Sequence, residues 1–426
     1  MQCLSESMKE DGPIDENSSA HAVDTDSVMQ RFNVPFEYPV YFTRGVFSDP
    51  HNLTLQRAIR RLEPHRRHRF VAVIDADFAK ANPAIVQALQ AYALRHADTL
   101  ELVDAPRVVA GGEQLKHDPG AVFALQQWLH DRHIDRHACV VAVGGGAMLD
   151  AVGYAAATTH RGVRLIRLPT TVLAQNDAGI GVKTAINAFG VKNFLGTFTP
   201  PFAVINDFDF IATLPARHCI AGMAEAVKVA AIRDRAFFDW LTAHASALAN
   251  FEPNAMQWMI RRCAELHLQH ISQGGDPFES GSARPLDFGH WAAHKLETLS
   301  AHTLMHGEAV AIGLALDTRY AVAIGLLEKP VLAAMYTLLS HLGFRLWHDA
   351  LDARDQSGRR QVLEGLTEFR EHLGGELTVT LIKQIGQSVE VHTIDECEVN
   401  VAINWLQEQD RHRLHIAKKE FYHETV

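Results

Sequence analysis

Three histidines, His290, His294 and His306, stand in the run GSARPLDFGHWAAHKLETLSAHTLMHGE that ends at Glu308. His290 and His294 are four apart, and residues at that spacing share a helix face, so two imidazoles can look into one cavity. The third opens an HGE triplet twelve residues further on. An apolar helix gains nothing from such groups unless something binds them: a metal, a substrate or a set of satisfied hydrogen bonds. Glu225 and Lys228, three apart in GMAEAVKVA, sit on a helical stretch that is otherwise almost wholly apolar. They can form an i,i+3 ion pair, yet a buried carboxylate is costly unless it is paired or bound to a metal. Glu225 with His290 and His306 would make the His₂Glu set of a catalytic zinc with an open fourth position. On spacing alone, satisfied core histidines compete with that reading.

A second group of residues suits a nucleotide. VAVGGGAMLD (141–150) is a strand, a glycine triplet and the start of a helix. Glycines let the backbone approach a diphosphate, and the helix N-terminus offers N–H groups and a favourable dipole. IDAD (74–77) puts carboxylates at a strand end, where ribose hydroxyls are commonly held. GGEQLK (111–116) and PTT (169–171) add a carboxylate, an ammonium and two hydroxyls. Each alone could be a surface turn; four such loops at strand ends favour a dinucleotide. Between the two groups, QNDAGIGVKTAIN (175–187), followed by Lys192 and Asn193, sets lysines among glycines, as an anionic, phosphorylated substrate requires. A solvated loop is the bland alternative.

The elements that must position these residues are legible. β-rich runs at 70–74, 100–103, 139–143 and 163–168 alternate with helical stretches such as 83–97 and 121–131. That alternation implies a parallel sheet covered on both faces. From about residue 207 the pattern turns helical, at 221–233, 237–248, 255–270, 290–300, 308–324 and 330–342. A β-like segment at 376–391 and a helix near 394–408 follow. The expected organisation is α/β: a tail at 1–30, a Rossmann-like nucleotide domain at 31–206, and a mainly helical metal- and substrate-binding domain at 207–426.

The rest of the composition excludes more than it assigns. At 426 residues the chain is long enough for two domains. A net charge of −10 and a pI near 6.2 argue against nucleic acid or an anionic membrane as partner. No apolar run approaches the roughly 20 residues that span a bilayer. The acidic start lacks the pattern of a secretory signal. Five scattered cysteines without CxxC spacing fit reduced thiols, hence a cytoplasmic protein.

The ordered series GGEQLK, GGGAMLD, RLPTTVLAQNDAGIGVKTAIN, VKN, TLPAR, AGMAEAVK, DFGHWAAHKLE and HGEAV resembles the 3-dehydroquinate synthase superfamily of sugar phosphate cyclases. The resemblance runs over about residues 38–390. It implies a Rossmann-like NAD domain followed by a helical metal-binding domain. Carried over by position, Asp75, Asp77, Glu113, Lys116, Gly145, Gly146, Asp150, Thr170, Thr171 and Thr213 would hold NAD. Glu225, His290 and His306 would hold zinc or cobalt. Asp177, Lys183, Lys192, Asn193, Lys228 and His294 would surround the substrate. Arg161 would reach the substrate phosphate of a neighbouring subunit in a homodimer. The implied activity is that of a carbon–oxygen lyase: transient oxidation, β-elimination of phosphate, reduction and aldol closure of a carbocycle, with NAD regenerated each turnover.

The chain departs from dehydroquinate synthase in one direction. Where LNFGHT is usual it reads LDFGHW, so Asp287 replaces an asparagine that faces the substrate. A lysine expected about twenty residues before His290 is absent, and His267, Gln269 and His270 occupy that region. A C-terminal lysine is absent too, with Phe369, Arg370 and His372 in its stretch, and Arg284 stands one residue from the family's arginine. Losing cations and adding an anion disfavours a substrate carboxylate. RPLDFGHW and FREHLGGEL resemble the 2-epi-5-epi-valiolone synthase branch, so sedoheptulose 7-phosphate is the expected substrate. The carboxylated substrate of a true 3-dehydroquinate synthase is the alternative. A metal-dependent polyol dehydrogenase is a second, and it would accumulate NADH.

Overall fold

The computed structural model describes residues 27–278, 285–372 and 374–424. Most of the acidic tail expected at 1–30 lies outside the described residues, as does Arg284. By its contacts the chain divides after Glu37, and everything from Tyr38 belongs to one unit.

Seven strands build its sheet: β1 (Val40–Thr43), β2 (His68–Asp75), β3 (Leu100–Leu102), β4 (Arg107–Val109), β5 (Cys139–Gly144), β6 (Arg164–Pro169) and, after a hairpin, β9 (Ala203–Asp207). Their order is β1-β9-β6-β5-β2-β3, with β4 alongside the far half of β2, and every pairing is parallel. The hydrophobic runs are continuous because both faces are covered. Phe70, Ala72 and Ile74 of β2, with Cys139, Val141 and Val143 of β5, face one apolar cluster. Val71, Val73, Val140 and Ala142 face another.

The register lines up the carboxyl ends that matter. Asp75 pairs with Val109, and Ile74 with Val143. Gly144 pairs with Pro169. The loops carrying Asp75, Gly111, Gly145 and Thr170 therefore leave one edge of the sheet side by side, the place where open α/β sheets take ligands. After β6 the chain makes a π-helical turn, Ala174–Ala178, a distortion often found at functional sites. It then forms an antiparallel ribbon, β7 (Lys183–Ala188) and β8 (Val191–Phe198). The solvated loop that stood as the bland alternative for 175–187 is not what forms: Lys183 starts a strand, and Lys192 and Asn193 belong to its partner.

Beyond β9 the chain is helical, apart from a small antiparallel pair, β10 (Val379–Gln384) and β11 (Gln387–Val391). The helix Ala216–Arg233 is buried without a break from Ala221 to Ile232. Helix His306–Ala323 packs against it so tightly that a Cβ on Gly307 would lie 1.8 Å from the Ala221 carbonyl oxygen. Ala221 is one turn before Glu225 on the same face, so this backbone contact delivers His306 to Glu225. Helix His290–Leu299 starts from Gly289, whose φ of 79° suits glycine, and Gly313 of the neighbouring helix packs on the Gly289 carbonyl. Other helices match the sequence expectation with shifted ends. The 237–248 stretch divides into Arg235–Ala243 and Ala245–Ala249, and the last helix runs from Glu396 to Glu424 rather than ending near 408. Among the described residues no helix is long and apolar enough to cross a membrane.

Candidate active site

Glu225, His290 and His306 meet in the helical part, with one donor atom from each within 4.8 Å of the others. Glu225 is fully buried, and neither carboxylate oxygen accepts a hydrogen bond of acceptable geometry. Its Oε1 lies 3.8 Å from His290 Nε2 and 3.7 Å from His306 Nε2. Those separations are too long for hydrogen bonds. They are close to the ~3.4 Å between two ligands on one tetrahedral zinc at bond lengths of about 2.1 Å. Both rings are preset: His290 Nδ1 is 3.1 Å from the Phe288 carbonyl, and His306 Nδ1 is 3.0 Å from Glu297 Oε2. Each Nδ1–H thus donates and each Nε2 lone pair points inward. Burial, then the Lys228 charge, holds His290 well below its ordinary pKa, which favours the neutral imidazole. A buried carboxylate oxygen, Oε1, that accepts no hydrogen bond and two oriented imidazoles fit a divalent metal.

Lys228 ion-pairs with Glu225 and is itself buried. Burial alone would discharge it, but Glu225 and Asp177 outweigh that and raise its pKa above the ordinary lysine value, with Asp287 adding to the effect. Asp177, on the π-helical turn, is 2.8 Å from His267 Nδ1. Of the three residues offered where a lysine was expected, only His267 faces this site. His270 bonds Arg233, and Gln269 lines a separate cavity with Arg233 and Lys383. His294 lies on the exposed side, its ring 5.4 Å from that of His290 and 5.9 Å from that of His306. Phe369 is a core residue and Arg370 is exposed, so neither replaces the missing C-terminal lysine.

On the sheet side, Gly145 precedes helix Gly146–Thr158 and no side chain caps the first N–H groups. These remain available to a diphosphate. Thr170 is buried next to them, while Thr171 Oγ accepts from the Ala174 amide. Asp75 is mostly a helix cap: its Oδ1 accepts from the Asp77 and Phe78 amides, and Gly111 packs on Oδ2. Asp77 and Thr213 are exposed, and Thr213 bonds Asn82. Lys116 is tied to Asp150 at 2.9 Å and to Asn193, and Glu113 accepts from Asn187 at 2.8 Å. The residues read as nucleotide ligands thus form a network joining the sheet edge to the ribbon. Arg161 is not with the others: it precedes β6, a full strand length from Thr170.

Several participants were not foreseen. Glu297 joins His306 to Lys192, whose Nζ is 2.8 Å from Oε1. Arg167, buried in β6, donates to the carbonyls of Gly179, Gly181 and Lys183, and Tyr38 Oη donates to Ile180. Together they clamp the segment between Asp177 and Lys183. Asp317 accepts from the Gly289 amide at 3.0 Å and the Trp291 indole at 2.9 Å, so it fixes both flanks of His290. For Arg167 and Asp317 the available signal was a charged residue within an apolar run; Glu297 and Tyr38 carried none.

Burial pushes the Asp317 carboxyl up from 3.8 to about 7, against those two bonds. A folded-state pKa above the unfolded one means the contribution to stability is complete below about pH 4 and lost as pH rises through 7. Melting temperatures of the chain and of Asp317→Asn, measured from pH 4 to 8, should therefore converge or cross as the wild type loses ground. Parallel curves would show that Asp317 titrates normally.

The 3-dehydroquinate synthase N-terminal family matches residues 107–221, and its C-terminal family matches 222–361. The 3-dehydroquinate synthase of Xanthomonas campestris pv. campestris (strain 8004) is 34% identical over 345 residues, 80% of this chain and 90% of that one. The 2-epi-valiolone synthase of Actinosynnema mirum is 34% identical over 296 residues, 69% and 76% of the two chains. Among solved structures, ValA, a 2-epi-5-epi-valiolone synthase from Streptomyces hygroscopicus subsp. jinggangensis 5008 with NAD⁺ and Zn²⁺ bound, superposes with a TM-score of 0.78 at 29% identity, covering 90% of this chain and 100% of its own. The chain belongs to the 3-dehydroquinate synthase family. It is accordingly an enzyme of the sugar phosphate cyclase type, a lyase.

Proposed function

We propose that this enzyme eliminates phosphate from sedoheptulose 7-phosphate and closes a carbocycle, using NAD and one zinc or cobalt ion. The observation that carries the choice of substrate is Asp287, a carboxylate near enough to Lys228 to raise its pKa. A substrate carboxylate there would meet an anion, and the neighbouring position holds the His267–Asp177 pair instead of a lysine. We read the sheet half as the NAD-binding domain, with Gly145, Gly146, Thr170 and Thr171 at the diphosphate and Asp75 near the ribose. Glu225, His290 and His306 would hold the metal. When bound, NAD takes and returns a hydride and the metal acidifies a substrate hydroxyl. Lys228, kept charged between Glu225 and Asp177, would neutralise the oxyanion that develops beside it. Lys183, Lys192 and Asn193 on the ribbon would receive the phosphate, and His294 would pass a proton at the exposed side. In this reading the protein is a cytoplasmic homodimer, with Arg161 serving the neighbouring subunit.

True 3-dehydroquinate synthase activity is the second reading, favoured by 34% identity across 90% of the Xanthomonas enzyme. The two separate in one assay. Purified protein with NAD and zinc or cobalt is expected to release phosphate from sedoheptulose 7-phosphate without accumulating NADH. Turnover of the carboxylated seven-carbon substrate alone would reverse the assignment.

A further inference from the structure

We propose that Glu297 is a positioning residue that serves two parts of the site at once, orienting the metal ligand His306 and anchoring the ribbon lysine Lys192. The inference rests on the reading of Glu225, His290 and His306 as metal ligands.

Glu297 lies seven residues after His290 on helix His290–Leu299, two turns along the same face. Only 5% of it is exposed, a cost that a carboxylate bears when both oxygens are engaged. Here they are. Oε2 is 3.0 Å from His306 Nδ1, and Oε1 accepts from Lys192 Nζ at 2.8 Å. The Lys192 ammonium on one oxygen and an N–H donor on the other both favour the ionised carboxylate.

The first bond decides the histidine. An anionic acceptor at Nδ1 requires the proton there, which leaves the Nε2 lone pair for the metal, turns the ring towards Glu225 and makes it a stronger donor. The second bond crosses between parts of the chain 105 residues apart. Lys192 is on β8, and its neighbour Asn193 bonds Lys116, which bonds Asp150 at the start of helix Gly146–Thr158. One carboxylate therefore joins the metal ligand to the ribbon and, through it, to the glycine-rich edge of the sheet. His294, Glu297 and His306 also form a second ligand-like set within 4.8 Å.

The test uses the full chain stripped of metal, and zinc affinity measured by competition with a chromophoric chelator. Glu297→Gln keeps the size but not the charge, and is expected to weaken zinc binding 10- to 100-fold, the range for loss of such a partner. Lys192→Met should leave zinc affinity within about threefold while raising KM for the phosphorylated substrate. Glu297→Gln should show both effects, with excess zinc restoring kcat but not KM. Circular dichroism and melting of the metal-free variants guard against simple misfolding, and Glu297→Asp, too short to reach both partners, should recover part of the zinc affinity. Wild-type zinc affinity in Glu297→Gln overturns the proposal. If Glu225→Gln also binds zinc normally, the metal assignment itself fails, and the two failures are told apart.

Discussion

Glu225→Gln is expected to give a folded protein that binds zinc more than about 100-fold more weakly and has almost no phosphate-releasing activity. The loss must exceed that of an outer partner, whose removal costs 10- to 100-fold. The amide is nearly the same size, so the packing around a fully buried position survives. What changes is charge. The carboxylate is the single anion of the proposed ligand set, and its Oε1, the oxygen facing both imidazoles, accepts no hydrogen bond. An amide would present one neutral oxygen and an NH₂ group that repels a cation. Equilibrium dialysis against zinc gives the stoichiometry, and a coupled phosphate assay gives the rate. Retention of one tightly bound zinc with full activity would place the metal elsewhere.

Lys228→Met is expected to destabilise the metal-free protein by about 3–5 kcal/mol, the usual cost of removing one partner from a buried ion pair. The methionine fills similar space but leaves Glu225 in an apolar helix and Asp177 near it without their shared cation. A bound divalent ion supplies positive charge at Glu225, so zinc should raise the melting temperature of this variant far more than that of the wild type. Activity should stay low even when zinc is saturating, because the developing oxyanion still lacks its ammonium. A metal-free variant that melts with the wild type would mean that solvent reaches this pair.

Much of this was legible beforehand, for physical reasons that vary from residue to residue. β2, β5 and β6 announce themselves because a parallel strand covered on both faces is apolar at every position. β1, β4 and β9 are three to five residues long, too short for their apolar residues to stand out. The ribbon was hidden because its lysines and asparagines read as groups for an anionic substrate rather than as strands, while Phe189, Phe194 and Phe198 lie exposed on it. Glu225, His290 and His306 were readable from type and spacing, since an acid and imidazoles on apolar helices demand a reason. Glu297 follows Lys295 and precedes Thr298, the look of a solvated face, and only the packing of the HGE helix shows that it is buried. Asp75 looked like a ribose ligand, yet one of its oxygens caps a helix, a bond that composition cannot reveal. Arg161 stands at the wrong end of β6 for its own chain's site, which the sequence reading had already given to a neighbour.

The contact between Gly307 and the Ala221 carbonyl has a consequence for how such a site can diversify. The spacing of Glu225 and His306 is set where two backbones touch, with no side chain between them to be exchanged. Asp287 and His267, by contrast, reach the same space from a 3₁₀ turn and the late turns of another helix. Substitutions there can alter which sugar is welcome without disturbing the distance between the ligands. In this chain the Glu225–His306 spacing belongs to the main chain, and the groups that would choose the sugar belong to the side chains.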